Sequence, residues 1–533
     1  MARHQTSLID GLAEDHLVRQ WWEGRLGNEG ASFSWLRKPN GADLNALRDG
    51  AGMDRMDRRL LVEVIKEQYA DSGLPVPSRV GDLSQSSTRT VTTGHQLCLG
   101  TGPAFTVYKA LTAVCFANNL EARWGTPVVP VFWLASEDHD FEEICALWDG
   151  EEWHRWVSDS AGGAVGRMNA SGAADALSNW AVRAGIPDAV LSDMVSATKG
   201  SLSSAMRHWM HTAIGSDRIV VLDGDDARLK AAFAPQMERE IREGLLWNEV
   251  GKVNAVLQNQ GHAPQVHVRE TNLFHLGQES RSRLIQNGEM WSAGAHNWNG
   301  TEALLDHLFR EPQSFSPNAL FRPLYQAFLL PDVAVVGGLA EVAYWLQLST
   351  AFEAMGLRAP ALVLRDSARV TPAPWNTMAI EAAVTHLDLG ASLDLWEAQW
   401  LERQEVPDVQ SWRDALDKEA EAAGIAFSKL DATLRASVEA TAAKMIKLLE
   451  KLEGQGRRAV RRQHSKELAD LARLHGWFYP AGKAQERVAN FHALSMAWTG
   501  EEGLIASLEQ TFLEAHQGEN WSPVLHDLID DAT

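Results

Sequence analysis

The chain has 533 residues, of which 45% are hydrophobic and 22% charged, with 41 glycines and 19 prolines. These are the values of an ordinary globular sequence long enough for roughly three or four structural units, and they exclude a mainly disordered or collagen-like chain. The net charge of −21 argues against a general nucleic-acid binder, which neutralises phosphates with surplus Lys and Arg, although a local basic pocket for a small anion remains compatible with it.

Three cysteines, Cys98, Cys115 and Cys145, leave one unpaired and cannot build a disulfide framework in a chain of this size. The first 25 residues carry charged side chains throughout and no apolar leader, so a reducing cytoplasm is expected. The apolar run at 126–136 is too short to span a bilayer, and 327–346 is interrupted by Pro331, Asp332, Gly337, Gly338 and Glu341. No membrane partner is expected.

In chain order, residues 1–87 read as a polar helical region packed on a core. Residues 88–149 form a βαβ unit: TRTVTTG as a short strand, a Gly-rich turn, a helix from AFTVYKALTAVCFANNLEARWG, and TPVVPVFWLAS as a strand buried on both faces. Right-handed crossover makes those two strands parallel neighbours. Residues 150–215, rich in Gly, Ala, Ser and Trp, read as an inserted, connecting helical region. A second α/β stretch, 216–375, contains RIVVLDGDD, QVHVR (265–269), NLFHL (272–276), VAVVGG and PALVLRDS as strands. Two βα clusters separated by an insertion predict an α/β fold with a Rossmann-like, doubly wound parallel sheet.

Residues 376–478 are rich in Ala, Glu, Lys, Arg and Leu, and 479–533 read as a helical segment returning to the core. Leu434, Val438, Thr441, Met445, Leu448 and Leu452 alternate at spacings of four and three, an apolar seam of about three heptads. A helical hairpin or a coiled-coil arm used for dimerisation fits, and a helix packed on its own domain is the plain alternative.

In open α/β sheets ligands bind beyond the carboxyl ends of the strands, so the residues after each apolar run are the candidates. Gly94, His95 and Gln96 follow the first, with Gly100, Gly102 and Lys109 beyond. Glycines permit close backbone approach, and a helix N-terminus attracts anions. The turn matches neither a dinucleotide-binding nor a Walker pattern, and a tight turn with a structural histidine explains it equally well. Ser136, Glu137, Asp138, His139 and Asp140 follow the second run, with Glu142 and Glu143 close behind. Such a cluster can hold an ammonium, bind Mg²⁺ or supply a general base; N-capping of a following helix is the structural alternative. Later strands end at Asp223 and Asp225, at Gly337 and Gly338 with Glu341 and Tyr344 in the next helix, and at Arg365, Asp366 and Ser367. Arg322 and Arg365 could each grip a carboxylate or phosphate as a fork, or make a structural ion pair.

The segments TTGHQLCLGTGPAFTVYKALTA, TPVVPVFWLASEDHDFEEI, SPNALFRPLYQAFLLPDVAVVGGLAEVAYWLQL, PALVLRDS and YPAGKAQER occur in this order between about 88 and 490. Together they resemble the motifs of the bacillithiol biosynthesis cysteine-adding enzymes, the BshC cysteine ligase family. The resemblance implies a Rossmann-type core with connecting insertions and a coiled-coil arm that makes a homodimer. It also implies a ligase joining the carboxyl of cysteine to the glucosamine amine of glucosaminyl malate. The core is similar to nucleotidyltransferase folds in which a Gly/His turn holds ATP phosphates, and Gly94-His95-Gln96 occupy that place here. Neither a HIGH pair nor a KMSKS-like loop is present.

The resulting expectation is ATP as activator, with Mg²⁺ as a companion ion. Gly94, Gln96, Gly102, Lys109, Gly337 and Gly338 are expected on the nucleotide, and His95, Asp138 and His139 in catalysis. Glu137, Asp140, Arg322, Glu341, Tyr344, Arg365 and Ser367 are expected on the substrates. A nucleotide-binding transferase of another substrate and a non-catalytic dimeric nucleotide-binding scaffold are the rival readings.

Overall fold

A computed structural model describes residues 2–26, 45–46, 48–49, 56–158, 162–384, 392–404, 409–516 and 521–530. The chain divides into two compact units, Met1–Pro372 with Lys483–Ala532, and Ala373–Gly482.

The larger unit is built on five parallel strands, β1 (Arg89–His95), β2 (Val128–Leu134), β3 (Val220–Asp223), β4 (Asp332–Gly337) and β5 (Ala361–Leu364). Their order across the sheet is β5-β4-β1-β2-β3. The chain therefore starts in the middle, winds outward on one side, and returns to wind outward on the other, which is the doubly wound arrangement. β2 is buried along its whole length, as its uninterrupted VVPVFWL sequence requires of a strand covered on both faces. Helix α1 (Phe105–Trp124) makes the crossover from β1 to β2 and stops at Gly125, whose φ of +64° is the left-handed cap that glycine adopts without strain. Helix α2 (Ala227–Glu243) follows β3 and is capped by the Asp226 carboxylate, which accepts from the N–H groups of Arg228 and Leu229. Helix α3 (Leu339–Leu346) follows β4.

Three local expectations change. Ala2–Ser7 is a strand rather than helix: it pairs antiparallel with Val524–Ile529, which runs parallel to Ser367–Thr371. Residues 265–269 are not a strand, because the Gln347 side chain takes the place of a neighbour. Its amide oxygen accepts from the Val266 N–H and its amide nitrogen donates to the Val266 carbonyl, both at 2.9 Å. Leu273–Leu276 is a strand outside the main sheet, paired antiparallel with Phe315–Pro317 and Arg281–Arg283. The 150–215 region carries helices Ala173–Ala184, Asp188–Ser196 and Leu202–Ile214, with Trp180 and Trp209 buried.

The smaller unit contains α4 (Gln410–Ser428), α5 (Leu434–Gln463) and α6 (Ser465–Phe478). α4 and α5 are antiparallel: a short turn joins them, and Arg413 near the start of α4 pairs with Glu450 near the middle of α5 at 2.9 Å. Leu434, Val438, Thr441 and Met445 of the apolar seam share a cavity of about 380 Å³ with Leu416, Ala420, Ala423 and Phe427 of α4. Farther along the seam Leu448 and Leu452 are 64% and 52% exposed. Trp396, Trp400, Leu471, Leu474 and Phe478 form a separate core in this unit. No described helix is long and apolar enough to cross a membrane.

The close pairing of β1 and β2 depends on Gly94. A Cβ at this position would stand 2.7 Å from the Trp133 carbonyl oxygen, a backbone atom that cannot swing away. Gly94→Ala is expected to destabilise the protein by about 1–3 kcal/mol, seen as a lower urea midpoint with an unchanged slope.

Candidate active site

The parallel register brings three strand ends to one edge. Gly94 and His95 of β1 pair with Trp133 and Leu134 of β2. The Thr93 hydroxyl donates to the Val336 carbonyl of β4 at 2.9 Å, and the Ala135 N–H donates to the His95 carbonyl at 3.1 Å. The loops after β1, β2 and β4 therefore begin side by side at the point where the winding reverses, which is where open α/β sheets form their crevice.

The crevice is anchored by Lys109 of α1. Its buried ammonium donates to the Gly94 carbonyl at 2.5 Å and to both Glu341 carboxylate oxygens at 2.9 and 2.7 Å. Glu341 also accepts from the Gly338 N–H at 2.9 Å, so the Lys109–Glu341 pair ties α1, β1 and the start of α3 together. Burial lowers the Lys109 pKa against the pull of Glu341. Burial likewise opposes ionisation of Glu341, but Lys109 and the Gly338 N–H outweigh it and hold the carboxyl below its ordinary range. His95 packs edge-on against Phe105 with ring centres 4.9 Å apart. Burial, and then the Lys109 charge, push its pKa down to about 3, which leaves a neutral imidazole at neutral pH.

Beside this cluster lies a cavity of about 170 Å³ whose polar lining includes Glu137, Asp138, Arg281, Asn318, Arg322 and Tyr344. Glu137 sits 2.6 Å from the ammonium of Lys230, which is also 2.6 Å from Asp225, and Arg167 grips Asp225 through two bonds of 2.6 and 2.7 Å. Burial pushes Glu137 up, against the attraction of Lys230. Asp138 accepts from the Gln96 side chain at 3.0 Å and from the His139 N–H at 2.8 Å, with Arg281 3.5 Å away. Burial opposes its charge, yet these partners together keep its pKa below the ordinary value. Arg281 lies 4.2 Å over the Phe274 ring and donates to the Pro317 carbonyl at 2.9 Å. Its side chain is 10% exposed and its Nε is buried with no partner. Arg322 donates to the Gln326 side chain at 2.8 Å and to the Tyr344 hydroxyl at 3.3 Å.

Of the residues singled out in the sequence, Glu137, Asp138, Arg322 and Tyr344 line the cavity. Gly94, His95, Lys109, Gly337, Gly338 and Glu341 make up the adjoining cluster, joined to the cavity by Gln96 on one side and by the Glu341–Tyr344 turn of α3 on the other. His139 and Asp140 are exposed and do not line the cavity. No helix follows 136–143, so the capping alternative falls; the Ser136 hydroxyl instead donates to the Asp223 carboxylate.

Arg365 and Ser367 are not open grips: Arg365 pairs with Glu486 at 2.8 Å and bonds the Ser367 hydroxyl at 2.7 Å. Gly102 belongs to a closed turn. Asn490 donates to the carbonyls of Gly100 and Gly102 at 2.8 and 2.9 Å, and residues 97–102 are buried. Its carbonyls are in use, and the stretch is packed so closely that a Cβ at Gly100 or Gly102 would meet Met194 or Cys98 within 2.6 Å, so it leaves no room for a triphosphate. Among the described residues no set of three carboxylate, imidazole or thiol groups converges in the cavity as metal ligands. Arg281 escaped the sequence reading because it comes from a three-residue strand, Arg281–Arg283, with no apolar run before it.

A family model for the N-terminal Rossmann-like domain of the bacillithiol biosynthesis protein BshC matches residues 41–366, and one for its C-terminal coiled-coil domain matches 377–519. The chain belongs to the BshC family. It is 33% identical over 474 residues to a Cytophaga hutchinsonii protein named "Putative cysteine ligase BshC", covering 84% of this chain and 86% of that one. Proteins of the same name from Salinibacter ruber and Flavobacterium johnsoniae are 31% and 28% identical, over 81% and 83% of this chain and 83% and 85% of theirs.

The depressed pKa of His95 has a consequence for this family member's stability. Between about pH 6.5 and 3 the unfolded chain binds a proton at this position that the folded chain does not, so the neutral imidazole stabilises the fold fully only above that window. His95→Gln is expected to lose less stability than the native protein on acidification from pH 7 to 4, measured by urea unfolding. Equal losses would place the His95 pKa at its ordinary value.

Proposed function

We propose that the protein is a ligase that adds cysteine to glucosaminyl malate, forming the amide between the cysteine carboxyl and the glucosamine amine. The observation that carries this reading is the cavity, in which the carboxylates of Glu137 and Asp138 face the guanidinium groups of Arg281 and Arg322 beside a neutral imidazole. The family membership and the names of the relatives support it.

In this reading Arg322 and Arg281 take the malate carboxylates. Arg322 forms no ion pair among the described residues, and Arg281 has an unused buried donor. Asp138, held ionised, receives the cysteine ammonium or accepts the proton released as the sugar amine attacks. Glu137 is less available for that role, since Lys230 already holds it. His95, neutral across the physiological range, donates one N–H toward the charge that develops on the carbonyl oxygen. Lys109 acts at one remove: its donors are taken by Gly94 and Glu341, so it fixes the loop that carries His95.

A free carboxylate does not acylate an amine, because its oxygen is too poor a leaving group, and ATP is the proposed source of activation. The closed 98–102 turn does not fit its phosphates, and no residue is assigned to them. The exposed Leu448 and Leu452 of the seam support pairing with a second copy, and the three buried free cysteines support a cytoplasmic setting.

Purified protein incubated with cysteine and glucosaminyl malate, with and without ATP, is expected to form the thiol conjugate, detected by mass spectrometry, only when all three are present. Loss of a charge-assisted fork in Arg322→Met should raise the KM for glucosaminyl malate roughly 10- to 100-fold and leave that for cysteine nearly unchanged. His95→Ala should abolish turnover in a folded protein. Undiminished turnover in both variants would contradict the assignment.

A further inference from the structure

Outside the crevice, the larger unit buries a second set of ionisable groups. Asp366 lies just beyond β5, His516 caps the end of the helix Leu504–Ala515, and His526 lies in the strand Val524–Ile529. All three are buried, Asp366 and His526 completely. The His516 Nε2 stands 2.9 Å from both Asp366 carboxylate oxygens, and the His526 Nε2 stands 3.3 Å from one of them. One ligand atom from each residue lies within 4.8 Å of the others.

The charge balance of this group is unusual. A fully buried carboxylate must be paired with a cation or coordinate one. Among the described residues no Lys or Arg reaches Asp366; its nearby cations are used elsewhere, Arg365 on Glu486 and Arg369 on Asp527. A proton on one imidazole is a poor substitute. The Nδ1 atoms of both histidines are buried with no partner, so an imidazolium would bury a charged N–H without an acceptor. The His516 spacing of 2.9 Å is that of a charge-assisted hydrogen bond, which runs about 2.7–2.9 Å, but the His526 spacing of 3.3 Å is longer. Two ligand atoms about 2.0–2.1 Å from a tetrahedral ion stand roughly 3.3 Å apart, close to the His526 separation.

The structure assigns Asp366, His516 and His526 to a buried zinc-class metal site. Two imidazoles and a carboxylate are a ligand set that Zn²⁺ accepts, and burial marks the site as structural rather than catalytic. An ion there clasps the C-terminal segment to the end of the parallel sheet, in a unit too large to need it for its core but divided by the 373–482 excursion. The assignment is independent of the ligase reading.

Elemental analysis of the tag-free, full-length protein tests it. About one zinc-class ion per chain is expected, falling roughly tenfold or more in Asp366→Asn, a variant of nearly the same shape whose fold is checked by circular dichroism. Co²⁺ added to metal-stripped protein should give visible d–d bands in the native protein and none in Asp366→Asn or His526→Gln. A chelator should lower the native melting temperature but leave that of Asp366→Asn unchanged. Metal content or Co²⁺ bands equal in native and variant proteins would place any ion elsewhere and overturn the assignment. So would metal-free protein without bands, in which ¹⁵N NMR shows a protonated histidine against Asp366.

Discussion

A buried ammonium at the reversal point of the sheet is the interaction on which the site depends. Lys109 reaches from α1 to the end of β1 and to the first turn of α3, and it satisfies a backbone carbonyl and a carboxylate at once. Taking a lysine out of water is costly unless its donors and charge are both matched, and here they are. The arrangement works only if β1 and β4 are adjacent and parallel, because only then do Gly94 and Gly338 lie on the same edge. Sheet topology, loop position and charge placement are thus one constraint. The neutral state of His95 follows from it, since the same ammonium and the same burial disfavour an imidazolium.

Next to that anchor the charges are sorted by how completely they are partnered. Lys230, Asp225 and Arg167 form a closed chain behind Glu137, and Arg365 with Glu486 closes another behind the strand ends. Asp138, Arg281 and Arg322 are held less completely, and they face the cavity. A site that discriminates small charged substrates needs this division: rigid ion pairs that fix the walls, and incompletely satisfied groups that a substrate can complete.

Much of this was legible in the chain because apolar runs that end in glycine mark the edge where ligands bind. VVPVFWLAS and VAVVGG located β2 and β4 and thereby Glu137, Asp138 and Glu341. What failed was pairing over long separations. Arg365 looked open because its partner Glu486 lies 121 residues away in the C-terminal segment. Ala2–Ser7 looked helical because its strand partner is at the other end of the chain. The acidic cluster split into inward Glu137 and outward Asp140 because a loop, not a helix, follows β2, and periodicity says nothing about loops. Arg281 had no signal at all: a three-residue strand is too short for any alternation to show.

Hydrogen–deuterium exchange of the full chain, with and without cysteine, glucosaminyl malate and ATP together, tests most directly whether the reversal-point crevice is the reaction site. The account predicts that substrate-induced protection falls on the segments around 94–96, 135–139 and 337–344. Protection confined to the helical hairpin, or to the surface carrying His139 and Asp140 without the other two loops, would contradict it.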